Sequence, residues 1–334
     1  MRIQAKIMQE EFTRILLSRG YSLELATESA KNFVNNSLDG MYSHGVNRFP
    51  RVIEYIDKGY INVDAKESVE QSIGAIEIWN GNLAMGNLVA THAMQRTIDL
   101  AKIHGIGAVA IKNTNHWMRG GAYGWQAANA GCASICWTNT MPNMPAWGSI
   151  EAIIGNNPFV LSIPRKNGKH VVVDMALSQF SYGKIEEYKL LNKELAVYGG
   201  FNKEGELTKD PKEIEESLRP LPVGYWKGSA LSVGLDIFAS FISGGLSTPL
   251  IGQECESEYS LSQIMIAIDV KKLNSYNNSD ELLERTLELL KAAKKDKEDT
   301  EIRYPAEREY RTRIENLEKG IPVNEEIWDK IRNL

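Results

Sequence analysis

The chain has 334 residues, 43% of them apolar and 24% charged, proportions that build a folded protein with a sizeable core and exclude a disordered or fibrous one. Its formal charge of −5 argues against a nucleic-acid binder, which presents a basic face, but leaves room for a local basic pocket that holds an anion. The three cysteines, Cys132, Cys136 and Cys255, include no Cys-x-x-Cys, so neither a disulfide framework nor a metal site is expected; Cys132 and Cys136 read as small apolar members of a strand.

In chain order, residues 1–12 carry Arg2, Lys6, Glu10 and Glu11 and lack the apolar run of a signal peptide, so the expectation is a cytoplasmic protein. Met8, Phe12, Ile15 and Leu16 fall on one face of a helix that Gly20 stops. Ser22 is placed to cap a second helix, with Glu24 in its first turn and Ala26, Ala30, Phe33 and Val34 on its buried face. From about Ser72 short apolar runs alternate with turns. Residues 75–79, 108–112, 133–138, 159–164, 171–174 and 263–270 read as strands, and 86–104 and 121–130 as helices, a pattern that indicates an α/β or α+β core. Residues 199–222 read as a polar surface excursion. Residues 229–244 read as a buried core helix, because Asp236 interrupts an apolar stretch too short to span a bilayer. A helix starting near Ser279, with Leu283, Leu287 and Leu290 on one face, runs into the charged stretch 291–301, and two short helices separated by Gly320 and Pro322 follow.

Gly105-Ile-Gly107-Ala-Val-Ala110 matches a loose dinucleotide-binding pattern, but that pattern needs a strand before the glycines and a helix after them, so that the helix N-terminus faces the pyrophosphate. Here the helix precedes and the strand follows, and the glycines read as a helix C-cap and turn.

The segment Tyr42-Ser43-His44-Gly45-Val46-Asn47-Arg48 carries the residue types that carbonyl reduction of an oxo acid needs. Imidazole is the natural proton donor near neutral pH, and a guanidinium holds a carboxylate bidentately. A helical turn would put His44 and Arg48 on one face, though the same spacing also describes a solvated surface. Asn113–Gly121 follows a strand, where α/β sites commonly lie. Spacing alone does not choose between an active-site loop and a polar helix cap with Trp117 as a core anchor. Lys227, near the start of the 229–244 helix, offers a positive locus for phosphate or a plain surface lysine. His92, His104 and His170 read as structural or surface histidines.

Tyr42–Pro50 (YSHGVNRFP), Asn115–Ala128 (NHWMRGGAYGWQAA), Ile135–Thr140 (ICWTNT), Val173–Met175 (VDM) and Gly224–Ser229 (GYWKGS) occur in one order over nearly the full length. Together they resemble the type 2 malate/L-lactate dehydrogenase family, whose members bind a dinucleotide without a Rossmann fold. The resemblance implies a largely antiparallel mixed sheet flanked by helices, with a helical N-terminal part (1–70) packed with C-terminal helices (279–334) and a sheet-containing part (71–278). It implies His44 as the proton donor, with Arg48 and His116 at the substrate. For the cofactor it implies His170, Val171, Val172, Val173, Asp174, Met175, Ala176, Trp226, Lys227, Ala306, Glu307 and Arg308 around NAD(H), with NADP(H) as the alternative. The implied activity is reduction of 2,3-diketo-L-gulonate to 3-dehydro-L-gulonate by a homodimer with no nucleic-acid or membrane partner and no metal. The rivals are a sister specificity for malate, L-lactate or ureidoglycolate, and a non-catalytic sugar-acid-binding protein. Relatives carry Pro-Gly where this chain has Pro305-Ala306, and a positive φ there would be costly for alanine.

Overall fold

A computed structural model describes residues 1–273 and 276–334. Among the described residues one sheet has seven strands: β1 (Ser68–Ile73), β2 (Ile76–Asn80), β3 (Ile106–Thr114), β4 (Cys132–Thr138), β5 (Phe159–Ile163), β6 (Val171–Met175) and β7 (Leu261–Asp269), in the spatial order β1-β2-β3-β7-β4-β5-β6. Every neighbouring pair is antiparallel except β2 and β3, which are parallel and joined through a helix, as a parallel crossover requires. The largely antiparallel mixed sheet flanked by helices is the architecture expected from the sequence.

The helices are α1 (Ala5–Leu17), α2 (Leu23–Leu38), α3 (Phe49–Asp57), α4 (Gly86–His104), α5 (Gly121–Asn129), α6 (Tyr182–Leu190), α7 (Pro211–Ser217), α8 (Trp226–Ser243), α9 (Thr248–Glu254), α10 (Tyr276–Ala292), α11 (Glu307–Lys319) and α12 (Glu325–Arg332). Ser22 caps α2 by accepting from the Leu25 amide, as its position predicts. Gly105 ends α4 at φ +90 with its amide on Ala101 O, and β3 follows directly, so the glycine pair is a helix stop and not a dinucleotide loop.

Three packing layers result. Phe12 and Phe49 stack with centroids 4.0 Å apart, and Phe33 meets both rings edge-on. This cluster takes in Ile321, Val323, Trp328 and Ile331, so the last strand pair and α12 close over the N-terminal helices. α10 packs elsewhere: its Leu283 and Leu287 meet Val171 and Tyr304. The second layer lies between the sheet and α4 and α5, with Trp117, Met94, Ile111, Cys136 and Met265 at its centre. The third lies on the opposite sheet face, where Ala239 of α8 meets Ala110, Trp137 and Ile264.

Two sequence expectations need correction. The apolar helix α8 is not buried: Phe241 is 83% exposed, and Ile237, Phe238 and Leu231 also face outward. The face on the sheet is small and polar, with Ser229, Ser232, Asp236, Ala239 and Ser243, while the opposite, bare face carries the large apolar side chains; composition does not tell burial in the same chain from burial in another. Asp236 is buried because it accepts from the Thr248 amide at the start of α9 and from Asn139 Nδ2 at 2.9 Å. The polar stretch 199–222, expected as an excursion, folds: Gly200–Phe201 pairs with Leu207–Thr208, and α7 packs on α6 through Ile185, Leu195 and Ile214.

Candidate active site

His44 is not on an α-helix. It ends a single 3-10 turn, Tyr42–His44, and α3 begins only at Phe49, so it and Arg48 do not share a helical face. The segment is fastened to α2 instead. Asn36 Nδ2 donates to His44 O at 3.0 Å, and the Val46 amide donates to Ser37 Oγ at 2.9 Å. Gly45 makes this approach feasible, because a Cβ there would lie 2.9 Å from Phe33 O.

His116 reaches the same place from the end of β3. Asn115 holds that turn: its Nδ2 donates to Leu83 O at 2.9 Å and Ala84 O at 3.1 Å, and Gln263 donates to Asn115 O at 3.2 Å. Trp117 is fully buried beside it, so the loop carries both readings that spacing left open, a core anchor and a site-facing imidazole. The rings of His44 and His116 stack 5.8 Å apart with planes at 19°. His116 Nδ1 accepts the Met118 amide at 2.9 Å, which leaves the proton of the neutral ring on Nε2 as a donor.

Burial pushes His44 down to about 4, helped by the positive charges of Arg48 and then Arg119; burial first, then the charge of Arg48, holds His116 well below the usual range. Both imidazoles are therefore neutral at pH 7 in the free protein. Arg48 is half-buried and its Nη2 donates to Glu258 Oε2 at 3.1 Å. Arg48, His116, Arg51 and Tyr55 line a small, narrow cleft.

Arg119 was not picked out by sequence reasoning, yet it is the buried cation of the site. It pairs with Asp39, whose other oxygen accepts from Arg313 at 2.7 Å, and its Nε lies 3.5 Å from Asp174 Oδ2 without making a hydrogen bond. The available signal was its place before two glycines. Gly121 takes the Asp174 carboxylate on its amide at 2.9 Å, and a Cβ on Gly120 would lie 2.7 Å from the Trp117 ring.

Arg119 also walls a second cleft, of about 210 Å³, with Met41, Val172, Val173, Asp174, Pro305 and Ala306. The expected cofactor segments 170–176 and 306–308 thus meet, joined by the Val172 amide donating to Pro305 O at 3.3 Å. Ala306 does adopt the left-handed conformation, at φ +73 and ψ +3. Not every expected residue faces this cleft. His170 is buried between the Arg165 amide and Asn129 Oδ1, Glu307 is tied to Lys291 and Arg311, and Arg308 points to solvent. Trp226 and Lys227 stand exposed at the start of α8 and line neither cleft. Met41 lines the larger cleft and Arg48 the smaller one, and the turn that carries His44 lies between these two residues in the sequence.

A family model described as malate/L-lactate dehydrogenase matches residues 3–332. The chain belongs to the malate/L-lactate dehydrogenase family. It is 46% identical over 334 residues, covering all of both chains, to a protein of Citrobacter koseri named 2,3-diketo-L-gulonate reductase. Its structure matches malate dehydrogenase from Entamoeba histolytica with a TM-score of 0.94 at 27% identity, covering 100% of this chain and 96% of that one. Sulfolactate dehydrogenase from Methanocaldococcus jannaschii matches at 0.90 and 26%, covering 99% and 95%.

As a member of this malate/L-lactate dehydrogenase family the chain is an oxidoreductase of the nicotinamide-dependent type, acting on a small molecule. No single described helix is long and apolar enough to cross a membrane.

Proposed function

We propose that this enzyme reduces 2,3-diketo-L-gulonate at C2 to 3-dehydro-L-gulonate, with NAD(H) or NADP(H) in the larger cleft and His44 supplying the proton. The observation that carries the reading is the His44 ring stacked 5.8 Å from His116, at the cleft where Arg48 can meet a carboxylate. The 46% identity to the Citrobacter koseri reductase supplies the substrate class.

The larger cleft fits a nicotinamide: Met41, Val172, Pro305 and Ala306 offer apolar surface for a ring face. When bound, the reduced nicotinamide supplies the hydride; the protein supplies orientation and charge. On this reading residues 1–70 bring His44, and residues 71–278 bring His116 and β6 of the cofactor cleft.

Arg48 holds the substrate carboxylate through its remaining N–H groups, and His116 donates from Nε2 to the oxo acid. The carboxylate adds a negative charge beside Arg48, cancels part of the field that keeps His44 neutral, and so loads the imidazole with a proton as substrate binds. The developing alkoxide at C2 then takes that proton, a downhill transfer. In the reverse direction the neutral ring is already the base.

The bare face of α8, with Phe241, Ile237 and Phe238, is the surface we assign to a homodimer. Activity is tested by following NADH and NADPH consumption with 2,3-diketo-L-gulonate and identifying the product. Turnover giving 3-dehydro-L-gulonate supports the reading; turnover only of malate-type or lactate-type oxo acids overturns it.

A further inference from the structure

The carboxylate that faces Arg48 comes from the segment before β7, and the protein has taken care to fix it there. Tyr55 and Ser257 share a hydroxyl hydrogen bond of 2.5 Å, Tyr60 Oη donates to Glu256 at 3.3 Å, and the Tyr60 and Tyr259 rings stack 5.1 Å apart at 20°. These ties strap residues 256–259 across the C-terminal end of α3 and set Glu258 on Arg48, with 14% and 19% of the two side chains exposed.

The charges around this cleft are few. Arg48 and Arg51 are cations, Glu258 is an anion, and both imidazoles are neutral. The other nearby acids face outward: Glu54 pairs with Lys58, and Glu256 is exposed beside Tyr60. Arg48, Arg51 and the Glu258 paired with Arg48 together carry a net charge of +1, which matches one substrate carboxylate. A substrate with a second carboxylate or a sulfonate would bring its extra negative charge against Glu258. A substrate with hydroxyls would instead give that carboxylate the hydrogen bonds it can still accept, since an ionised carboxylate is an acceptor only.

We propose that Glu258 is a specificity-determining residue, which selects hydroxylated monoanionic oxo acids and rejects dianionic ones. The proposal rests on the substrate class assigned above and names the group that reads it. Removing one like charge about 6 Å away at an effective dielectric near 20 is worth roughly a hundredfold in affinity, and solvent exposure reduces this to about tenfold or more.

The test compares wild type with Glu258→Gln, which keeps a hydrogen bond to Arg48 but loses the charge, on 2,3-diketo-L-gulonate, pyruvate and oxaloacetate. The expected result is a rise of about tenfold or more in kcat/KM for oxaloacetate relative to either monoanion, carried mainly by KM. Glu258→Asp keeps the wild-type ranking, which a merely structural role would not require. Calorimetric binding of L-malate against L-gulonate shifts in the same direction. Should Glu258→Gln not fold, Glu258→Asn reads the same ratio. An oxaloacetate-to-pyruvate ratio within about twofold of wild type in a folded neutral variant overturns the proposal. A wild type inactive on 2,3-diketo-L-gulonate overturns the substrate reading instead, and the pyruvate and oxaloacetate arms still decide the role of Glu258.

Discussion

The His44 and His116 rings stack 5.8 Å apart, each delivered by a different part of the fold and each kept neutral mainly by burial and the charge of Arg48. Two imidazolium ions this close would repel, so the pair holds at most one proton. That proton belongs on His44, because His116 Nδ1 is occupied by the Met118 amide.

Proton uptake on ligand binding follows. Free His44, lowered to about 4, carries almost no proton at pH 7, and an anion on Arg48 raises its affinity for one. Oxamate binding with reduced cofactor at pH 7 is expected to take up a substantial fraction of a proton, read by calorimetry in buffers of different ionisation enthalpy. The uptake disappears in His44→Gln. Binding without uptake in the wild type contradicts the loading step.

Ala306 sits at φ +73 in the layer between the sheet and α4. An L side chain there costs about 1–2 kcal/mol, while glycine adds unfolded-state entropy and removes a methyl. Ala306→Gly is expected to stabilise by up to about 1 kcal/mol. Ala93→Gly, also buried but helical, destabilises by about 1 kcal/mol or more. Denaturant midpoints at unchanged slope measure both; a loss of stability in Ala306→Gly refutes the strain.

His92 lies between Glu67, 2.8 Å from Nδ1, and Glu28, 3.2 Å from Nε2, and these carboxylates, Glu28 first, raise it to about 10. A raised folded value means the stabilising proton is held at pH below the unfolded 6.5 and its contribution is lost as pH climbs from 6.5 toward 10. Discounting for its partial exposure, His92→Gln is expected to remove about 1–2 kcal/mol at pH 6 and progressively less toward pH 10. A stability loss independent of pH contradicts the ion triad.

Much of this architecture is written in local pattern. Met8, Phe12, Ile15 and Leu16 predict the buried face of α1, and Ser22 its neighbour's cap, because both depend on nearest neighbours along a helix. The order of helix, Gly105 and strand shows from sequence alone that no glycine-rich phosphate loop is present there. What escapes is non-local. Nothing adjacent to Arg48 announces Glu258, and Arg119 becomes a buried cation only when Asp39 and Asp174 fold onto it. α8 reads as core because it is apolar as a whole, and the pattern does not show that its large apolar side chains face outward while small and polar ones pack on the sheet.

That outward face gives a prediction of its own. Phe241→Glu is expected to convert the proposed homodimer to a monomer of unchanged helical content, read by light scattering and circular dichroism. A dimeric mass retained in the variant places the interface elsewhere.

The most direct test of the account is the turnover of His44→Ala with 2,3-diketo-L-gulonate and NADH. The account predicts a fall in kcat of about a hundredfold or more, with NADH binding, followed by fluorescence, within about twofold of wild type. A kcat within about threefold of wild type would contradict it.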